Sequence, residues 1–483
     1  MTDTLRDLTA FPPRIDWNQT LRERTTTPTL QVVVNPLLRR GSPIHERAFA
    51  ELRKLGADYV RFVPWFPYPH DSIAALYPPQ DGKTSWNFAS IDPFTIDFLE
   101  ATRGHPVMLN FSTIPPWMFT ADHVVPYPED PDQPIWHYQV GTELRDPSLK
   151  EVSDYFARLV SWYTKGGFTD EFGKWHESGH HYPLDYWEVL NEPDFEHDTT
   201  PAQYTARYDA IVSAIRSVNP GIKFVGLSLA MPSRSPDFFE HFLNPRNHQP
   251  GIPLDMISYH FYAVPAEDED LGVEQHTYFA QADGFLNTVR YVESIRKRLS
   301  PSTQTTINEI GVIRADDLKQ SQPGHVAQPI PDAYWNLAGA VYAYVFIHLA
   351  RLGIEIAGES QLVGYPSQFP SVSMVDWNTG APNARLRVLE LLIKHLSPAD
   401  QVVSAATGSP YYEAQAFLGA DGQRKLLLVS KRSRAAEISL PGFAGASVTV
   451  VDQATAGGPP RVETLSSETF RLPGFAVAVA TLK

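Results

Sequence analysis

Two segments of this chain carry a run of β-branched and aromatic residues into a glutamate. One is Tyr186-Trp187-Glu188-Val189-Leu190-Asn191-Glu192-Pro193, and the other is Thr305-Thr306-Ile307-Asn308-Glu309-Ile310-Gly311. Two carboxyl groups delivered to one place from distant segments can cleave a glycosidic bond: one protonates the departing oxygen while the other attacks or activates water. Pro193 cannot continue a ladder, so Glu192 falls at the C-terminal end of its strand. An isolated Asn-Glu-Pro also fits a plain turn, and either glutamate alone fits a salt bridge. The pairing is what points to chemistry.

Other residues of chemical interest are fewer. In Ser258-Tyr259-His260-Phe261-Tyr262 the strand period of two puts His260 and Tyr262 on one face. His176-Glu177-Ser178-Gly179-His180 satisfies the zinc-protease pattern H-E-x-x-H, which needs a helix to bring both imidazoles to one side. Gly173, Gly179 and Pro183 bracket it, so a loop is expected there and no catalytic metal. No G-x-G-x-x-G opens a helix, no Walker pattern occurs, and no nucleophile elbow suggests a serine triad.

The elements that must position the glutamates follow a simple grammar. Short β-branched runs at Leu30–Val34, Tyr59–Val63, Val107–Phe111, Tyr186–Leu190, Lys223–Leu227, Met256–Tyr262, Thr305–Asn308 and Ile354–Glu359 alternate with stretches of helical period. The helices are expected at Pro43–Leu55, Pro93–Thr102, Leu149–Tyr163, Ala202–Val218, Asp237–Phe242, Tyr278–Leu299, Ala333–Leu352 and Ala384–Leu396, with cap chemistry at Thr200-Pro201 and Asp332. Eight strand and helix pairs predict an α/β fold, a (β/α)8 TIM barrel spanning 28–397, with Glu192 on strand four and Glu309 on strand seven. Those two strands lie across the barrel from each other, so their ends can converge over its mouth. Loops after strands two and three are long and rich in Pro, Trp and Tyr. Beyond Ser397, short runs at Tyr411–Phe417, Lys425–Lys431, Ala436–Leu440, Ser447–Val451 and Phe475–Leu482 predict a smaller C-terminal antiparallel β-sandwich over 398–483, joined by a strand from 13–27.

Composition sets the outer limits. The 483 residues, 43% hydrophobic and 20% charged, can fill more than one core. A formal charge of -15 gives no footprint for a phosphate backbone, so no nucleic-acid partner is expected. With no cysteine there is no disulfide framework, thiolate nucleophile or Cys-ligated zinc. The start, Met-Thr-Asp-Thr-Leu-Arg-Asp, lacks the basic and apolar regions of a leader, and no stretch is long enough to span a bilayer. Neither a membrane nor secretion is expected; the reading is cytoplasmic, with a trimmed leader as the alternative. A homo-oligomer is left open. Aromatics at 12% suit either sugar stacking or a large core, and composition alone favours the core.

With these residues in place, the chain resembles clan A of the glycoside hydrolases and is most similar to family 39, the β-xylosidase and α-L-iduronidase family. That resemblance implies that Glu192, after Asn191, is the acid/base, and that Glu309 is the nucleophile of a retaining mechanism. It also implies that Arg61, in Tyr59-Val60-Arg61-Phe62-Val63, steadies the nucleophile, that Tyr262 hydrogen-bonds it, and that His260 and Asn191 hold sugar hydroxyls. Trp377 would be the platform under the sugar ring, with Trp65 and Trp117 as further candidates. Each of these also fits a purely structural role. The loop Phe111–Met118 departs from the xylosidase and iduronidase pattern, which leaves the substrate open. The activity expected is exo-cleavage, β-xylosidase-like or arabinosidase-like, with no cofactor. The alternatives are an endo-acting hydrolase, a transglycosylase, or a non-catalytic carbohydrate-binding protein.

Overall fold

The computed structural model describes every residue except 1–7, 23–25, 121–125, 137–141, 268, 323 and 483, with only the backbone of Leu8–Ala10. The opening seven residues, read above for a leader, lie outside the described residues, as do 23–25 of the expected joining segment. Eight strands form a closed barrel: β1 (Thr27–Val33), β2 (Val60–Val63), β3 (Val107–Leu109), β4 (Tyr186–Glu188), β5 (Lys223–Leu229), β6 (Met256–Ala263), β7 (Gln304–Val312) and β8 (Ile356–Glu359). Each strand lies beside its neighbours in sequence, and β8 lies beside β1.

The period of two explains how the strands divide their residues between helices and barrel interior. In β2, Phe62 faces out and stacks on Phe98 of the helix Ile91–Ala101 at 4.7 Å, while its neighbour Arg61 is buried on the inner side. In β4, Trp187 faces out onto Phe111 and Phe156, and Glu188 turns inward. Gly226 in β5 is required by close packing, since a Cβ there would come within 2.3 Å of the Phe242 ring. One helix, Pro201–Val218, starts as the sequence predicts, with a capping box between Thr200 and Gln203 and Pro201 in its first turn. Another differs: Asp332 opens the helix Asp332–Leu352 from inside, and Pro331 takes the cap position.

At the centre of the barrel sits one carboxylate with four donors. Glu188 is wholly buried; its Oε2 accepts from Arg61 Nε (2.5 Å) and Asn110 Nδ2 (2.6 Å), and its Oε1 from Asn308 Nδ2 (2.7 Å) and the Ser258 hydroxyl. These donors come from β2, the end of β3, β7 and β6. Arg61 also donates to Gln31 of β1 (2.7 Å).

Three strand details near the glutamates differ from the expected pattern. Strand β7 runs on through Glu309 to Val312, where it was expected to stop at Asn308. Strand β4 stops at Glu188 rather than Leu190, because Leu190 adopts φ +64 and cannot continue a pleated ladder. In β5, Leu227 and Ser228 have φ of +78 and +52, and the pairing with β6 jumps from Ser258↔Leu227 to Tyr259↔Leu229. Ser228 is thus the extra residue of a bulge, a device that re-aims side chains near functional sites.

The chain divides into two compact units. One comprises Leu30–Phe261 and Thr288–Asn308; the other comprises Tyr262–Asn287, Glu309–Lys483 and the described residues up to Thr29. The dividing points fall inside β1, β6 and β7, so these strands run through both. Within the second unit a seven-stranded sheet has the order Arg461–Thr464, Ser447–Val451, Val477–Leu482, Arg424–Ser430, Tyr412–Leu418, Gln401–Ala406, Arg14–Arg22. A three-stranded sheet of Leu8–Ala10, Ala436–Ser439 and Thr469–Leu472 supplies the other layer, and Ile438, Phe470 and Leu472 share a core with Ala414, Leu426 and Val448. All pairings here are antiparallel as expected except that of Leu8–Ala10 with Ala436–Ile438, which is parallel. Among the described residues no helix is long and apolar enough to cross a membrane.

Replacing Glu188 by Gln keeps the shape but leaves the Arg61 charge without its buried partner and turns an amide N–H toward donors. Breaking a buried ion pair typically costs about 3–5 kcal/mol, so Glu188→Gln should lower the urea midpoint well beyond the scatter of surface variants. A midpoint equal to that of the parent would mean the barrel does not depend on this charge.

Candidate active site

The residues around Glu192 are held by backbone conformations that only a tightly determined loop sustains. Glu192 itself has φ +43, a left-handed value that is unfavourable for a side chain with a Cβ and clusters at functional sites. Its N–H donates to Ser228 O (3.0 Å), so the bulge of β5 anchors the turn that follows β4. Asp194 locks the same turn to the next loop by accepting from the N–H groups of Ala230 and Met231, both at 3.0 Å. Glu192 keeps 15% of its side chain exposed, and its Oε1 lies 2.8 Å from Nδ1 of the buried His260.

Behind that pair runs a chain of hydrogen bonds. His260 Nε2 contacts Ser228 Oγ (3.1 Å), Ser228 Oγ contacts Asn191 Oδ1 (3.1 Å), and Arg61 Nη2 donates to both Asn191 Oδ1 (2.7 Å) and Ser228 Oγ (3.1 Å). Asn191 Oδ1 can only accept, so the single Ser228 proton goes to it, and His260 must then donate from Nε2. With Nε2 donating, a neutral His260 meets Glu192 through the Nδ1 lone pair, and an imidazolium would donate to the same carboxyl from that atom. The bonds of Arg61 described here orient Glu188, Gln31, Asn191 and Ser228. Asn191 Nδ2 in turn donates to Glu196 (2.9 Å), which also takes the indole N–H of Trp65 (2.7 Å).

Glu309, also buried, lies on β7 and accepts from Tyr262 Oη at 2.6 Å. Tyr262 Oη is also 2.7 Å from Ser360 Oγ. A phenol has one proton; with that proton on the Glu309 bond, the Ser360 hydroxyl donates to the phenol oxygen. Arg385 fixes Ser360 from below, donating to its carbonyl and to Glu359 (2.9 Å). Burial pushes Glu359 up to about 7, against the pull of Arg385. Gly311 makes room for the phenol: a Cβ there would lie 2.9 Å from Tyr262 Cε1 and 3.0 Å from Cδ1.

Three tryptophans and the H-E-x-x-H segment remain of the expected residues. Trp377 is half-buried in the turn Asp376–Gly380, where Asp376 Oδ1 caps Asn378 and Thr379. Trp117 donates its N–H to Ala75 O (2.7 Å) and lies under Arg145. Trp65 packs edge-on against Trp136 at 5.5 Å. The H-E-x-x-H segment is not a helix: Trp175–Glu177 is a short strand paired with Gly167–Thr169, where a loop was expected. His176 engages Asp170 (2.8 Å) and His180 faces Asp92 (3.4 Å), so the two imidazoles point to different carboxylates. Reading the sequence alone missed Glu188, Glu196, Ser228 and Ser360. A charged residue inside the apolar run of β4 was a signal for Glu188; the others carry none, because barrel closure and a bulge bring them in.

Comparison with known proteins agrees with this geometry. The chain matches Glycosyl hydrolases family 39 over residues 44–309. Similar solved structures include a GH51 arabinofuranosidase from Xanthomonas axonopodis pv. citri (TM-score 0.63, 12% identity, covering 98% of this chain and 99% of that one). A glucosidase from Croceicoccus marinus (TM-score 0.60, 17% identity, 98% and 99%) and a GH30 endoxylanase from Clostridium papyrosolvens C71 (TM-score 0.59, 14% identity, 99% and 99%) are alike as well. At such identities these three attest the fold, a barrel with an attached β domain. No curated protein matches the chain in sequence. The family match spans more than half of the residues and includes both glutamates, and the chain accordingly belongs to glycosyl hydrolase family 39, as an O-glycosyl hydrolase.

Proposed function

We propose that the chain is a retaining glycosidase in which Glu192 serves as acid and then base, and Glu309 as nucleophile. The observation that carries this reading lies on β6. His260 and Tyr262 are alternate residues of one strand, one bonded to Glu192 and the other to Glu309. A strand advances ~3.3 Å per residue and alternates faces, so the two holders present their glutamates to the same opening within the span of a sugar ring.

The first step breaks the bond between the anomeric carbon and the leaving oxygen. Glu309 supplies the electron pair for a new ester bond at that carbon, and the leaving oxygen takes the Glu192 proton, giving a glycosyl-enzyme through an oxocarbenium-like transition state. Water then attacks the same carbon, its proton returns to Glu192, and Glu309 departs as carboxylate. The bond from Tyr262 favours the anion that attack requires. Both nitrogens of His260 are engaged by Glu192 and Ser228, so of the two residues expected to hold sugar hydroxyls Asn191 alone keeps that role in this proposal, with Trp377 as the sugar platform. The substrates proposed are pentosides cleaved from a chain end, β-xylosidase-like or arabinosidase-like; the arabinofuranosidase and the endoxylanase among the similar structures favour a pentose, and the glucosidase among them makes hexosides the alternative.

Glu309→Ala should abolish turnover of every substrate, because no ester can form. Glu192→Ala loses proton transfer, typically ~10²- to 10⁴-fold, so poor leaving groups should suffer by about that much. A dinitrophenyl glycoside should still glycosylate this variant, and azide should restore deglycosylation with retained configuration, read by NMR of the glycosyl azide. Azide rescue of Glu309→Ala to a retained product instead would reverse the roles.

Tyr262→Phe removes one hydrogen bond to a charged group, worth about 1.5–3 kcal/mol, and should slow glycosylation roughly 10- to 150-fold. It should also move the acidic limb of kcat/KM to higher pH, since Glu309 loses a donor that stabilises its anion. Ser360→Ala should shift the limb the same way by less. An unmoved limb in both would separate Tyr262 from the nucleophile.

A further inference from the structure

Trp117 faces a different space. Arg145 lies 4.5 Å above its ring and the Ala75 carbonyl holds its N–H, so the indole plane is fixed. It forms one wall of a cavity of ≈ 270 Å³ whose other walls include Trp86, Tyr155, Arg145, Arg158 and Glu171. Glu151, Asp154 and Tyr155 belong to the first half of the helix Lys150–Thr164, which follows the long loop after β3, and Arg158 lies just past its midpoint. That half of a barrel helix starts at the strand C-terminal rim, so the cavity lies on the outer flank beside the rim rather than inside the barrel.

The wall chemistry is that of a site for a neutral polyol. Arg145 is paired in bidentate fashion with Glu151 (2.9 and 2.5 Å) and Arg158 with Glu171 (3.5 Å), leaving fixed N–H and carboxylate edges rather than a free charge. Two arginines stand against Glu151, Asp154 and Glu171, and Asp154 is itself paired with Lys150, so the charges balance and no excess of either sign selects a charged ligand. Trp86 stacks on Tyr155 (5.6 Å, 11°), and its buried indole N–H has no acceptor among the described residues. Phe119, next in the chain after the lining residue Met118, stacks on His197 at 5.0 Å, and Thr142 Oγ1 donates to His197 O (2.7 Å).

We propose that this cavity is a second carbohydrate site, which holds one neutral sugar unit of an oligosaccharide away from the bond being cleaved. The sugar's CH face lies on an indole and its hydroxyls meet the paired carboxylates and guanidiniums. The volume, just under the usual range for small-ligand pockets, suits a single unit. The choice of sugar as the ligand class rests on the glycosidase reading.

The test uses indole N–H signals of Trp86 and Trp117, assigned through Trp86→Phe and Trp117→Phe, in the Glu309→Ala protein. Xylotetraose, arabinotetraose and cellotetraose are titrated, with trigalacturonate as the charged control. At least one neutral tetramer should shift both signals at millimolar concentration, and trigalacturonate should not. In the active enzyme, Trp117→Ala and separately Arg145→Ala should leave kcat/KM for an aryl monoglycoside within about twofold and raise KM for the tetramer about three- to tenfold, the yield of one stacking contact. Arg145→Ala decides the matter if Trp117→Ala does not fold. Indoles unmoved by all three neutral tetramers, or moved preferentially by trigalacturonate, would overturn the proposal. Full turnover by Glu309→Ala would overturn the catalytic assignment while the indole shifts still decide the cavity.

Discussion

A negative charge at the heart of the barrel organises what surrounds it. Glu188 has no water to solvate it, so its position is tolerable only while Arg61, Asn110, Ser258 and Asn308 all donate to it. Those four residues come from different strands, and a shift of register in any one strand would strand a donor or the charge itself. Apolar packing on the outer faces of the strands could tolerate small slides; four directional bonds to two oxygens cannot. Arg61 then passes the constraint upward, since the guanidinium that neutralises Glu188 also orients Asn191 and Ser228.

Strand β6 transmits the same order toward the mouth. Ser258, His260 and Tyr262 are successive residues of one face, and they bond to Glu188, Glu192 and Glu309 in turn. The lowest of the three glutamates is structural and wholly buried. The upper two are those proposed to react, and they differ in their partners: an imidazole nitrogen faces one, and a phenol that donates a proton faces the other. Two carboxyl groups of the same kind are thereby given unlike neighbours two residues apart on one strand.

Much of this was legible before any coordinates. Strand positions follow from β-branched runs, and Glu192 follows from where its run stops, whereas β7 carries on past Glu309 to Val312. The limits of legibility are equally physical. Leu190 looks like a strand residue by type, yet the turn that aims Glu192 needs it at positive φ, which its side chain does not announce. Ser228 is an ordinary residue made special by a bulge, and Ser360 becomes a neighbour of Tyr262 only because the barrel closes. Trp117 shows the converse case: an aromatic in a long loop was visible, but which space it lines depends on Arg145 and a helix that lies beyond it in the chain. Glu188 stood in plain view inside an apolar run, where a charge is rarely found without a partner.

The seven-stranded sheet has an edge whose timing is awkward. Arg14–Arg22 pairs with Gln401–Ala406, and the bond from Thr20 to Gln401 spans 381 residues. At about 5–20 residues per second of synthesis, the first strand waits roughly 20–80 s for its partner to emerge from the ribosome. During that wait an unpaired strand is a template for pairing with other chains. The segment Arg-Ile-Asp-Trp-Asn-Gln-Thr-Leu-Arg answers that hazard with three charges and few buried side chains, even in the finished sheet. Its polarity, which contributes little to the core, keeps the nascent chain soluble until the far end of the same molecule arrives to cover it.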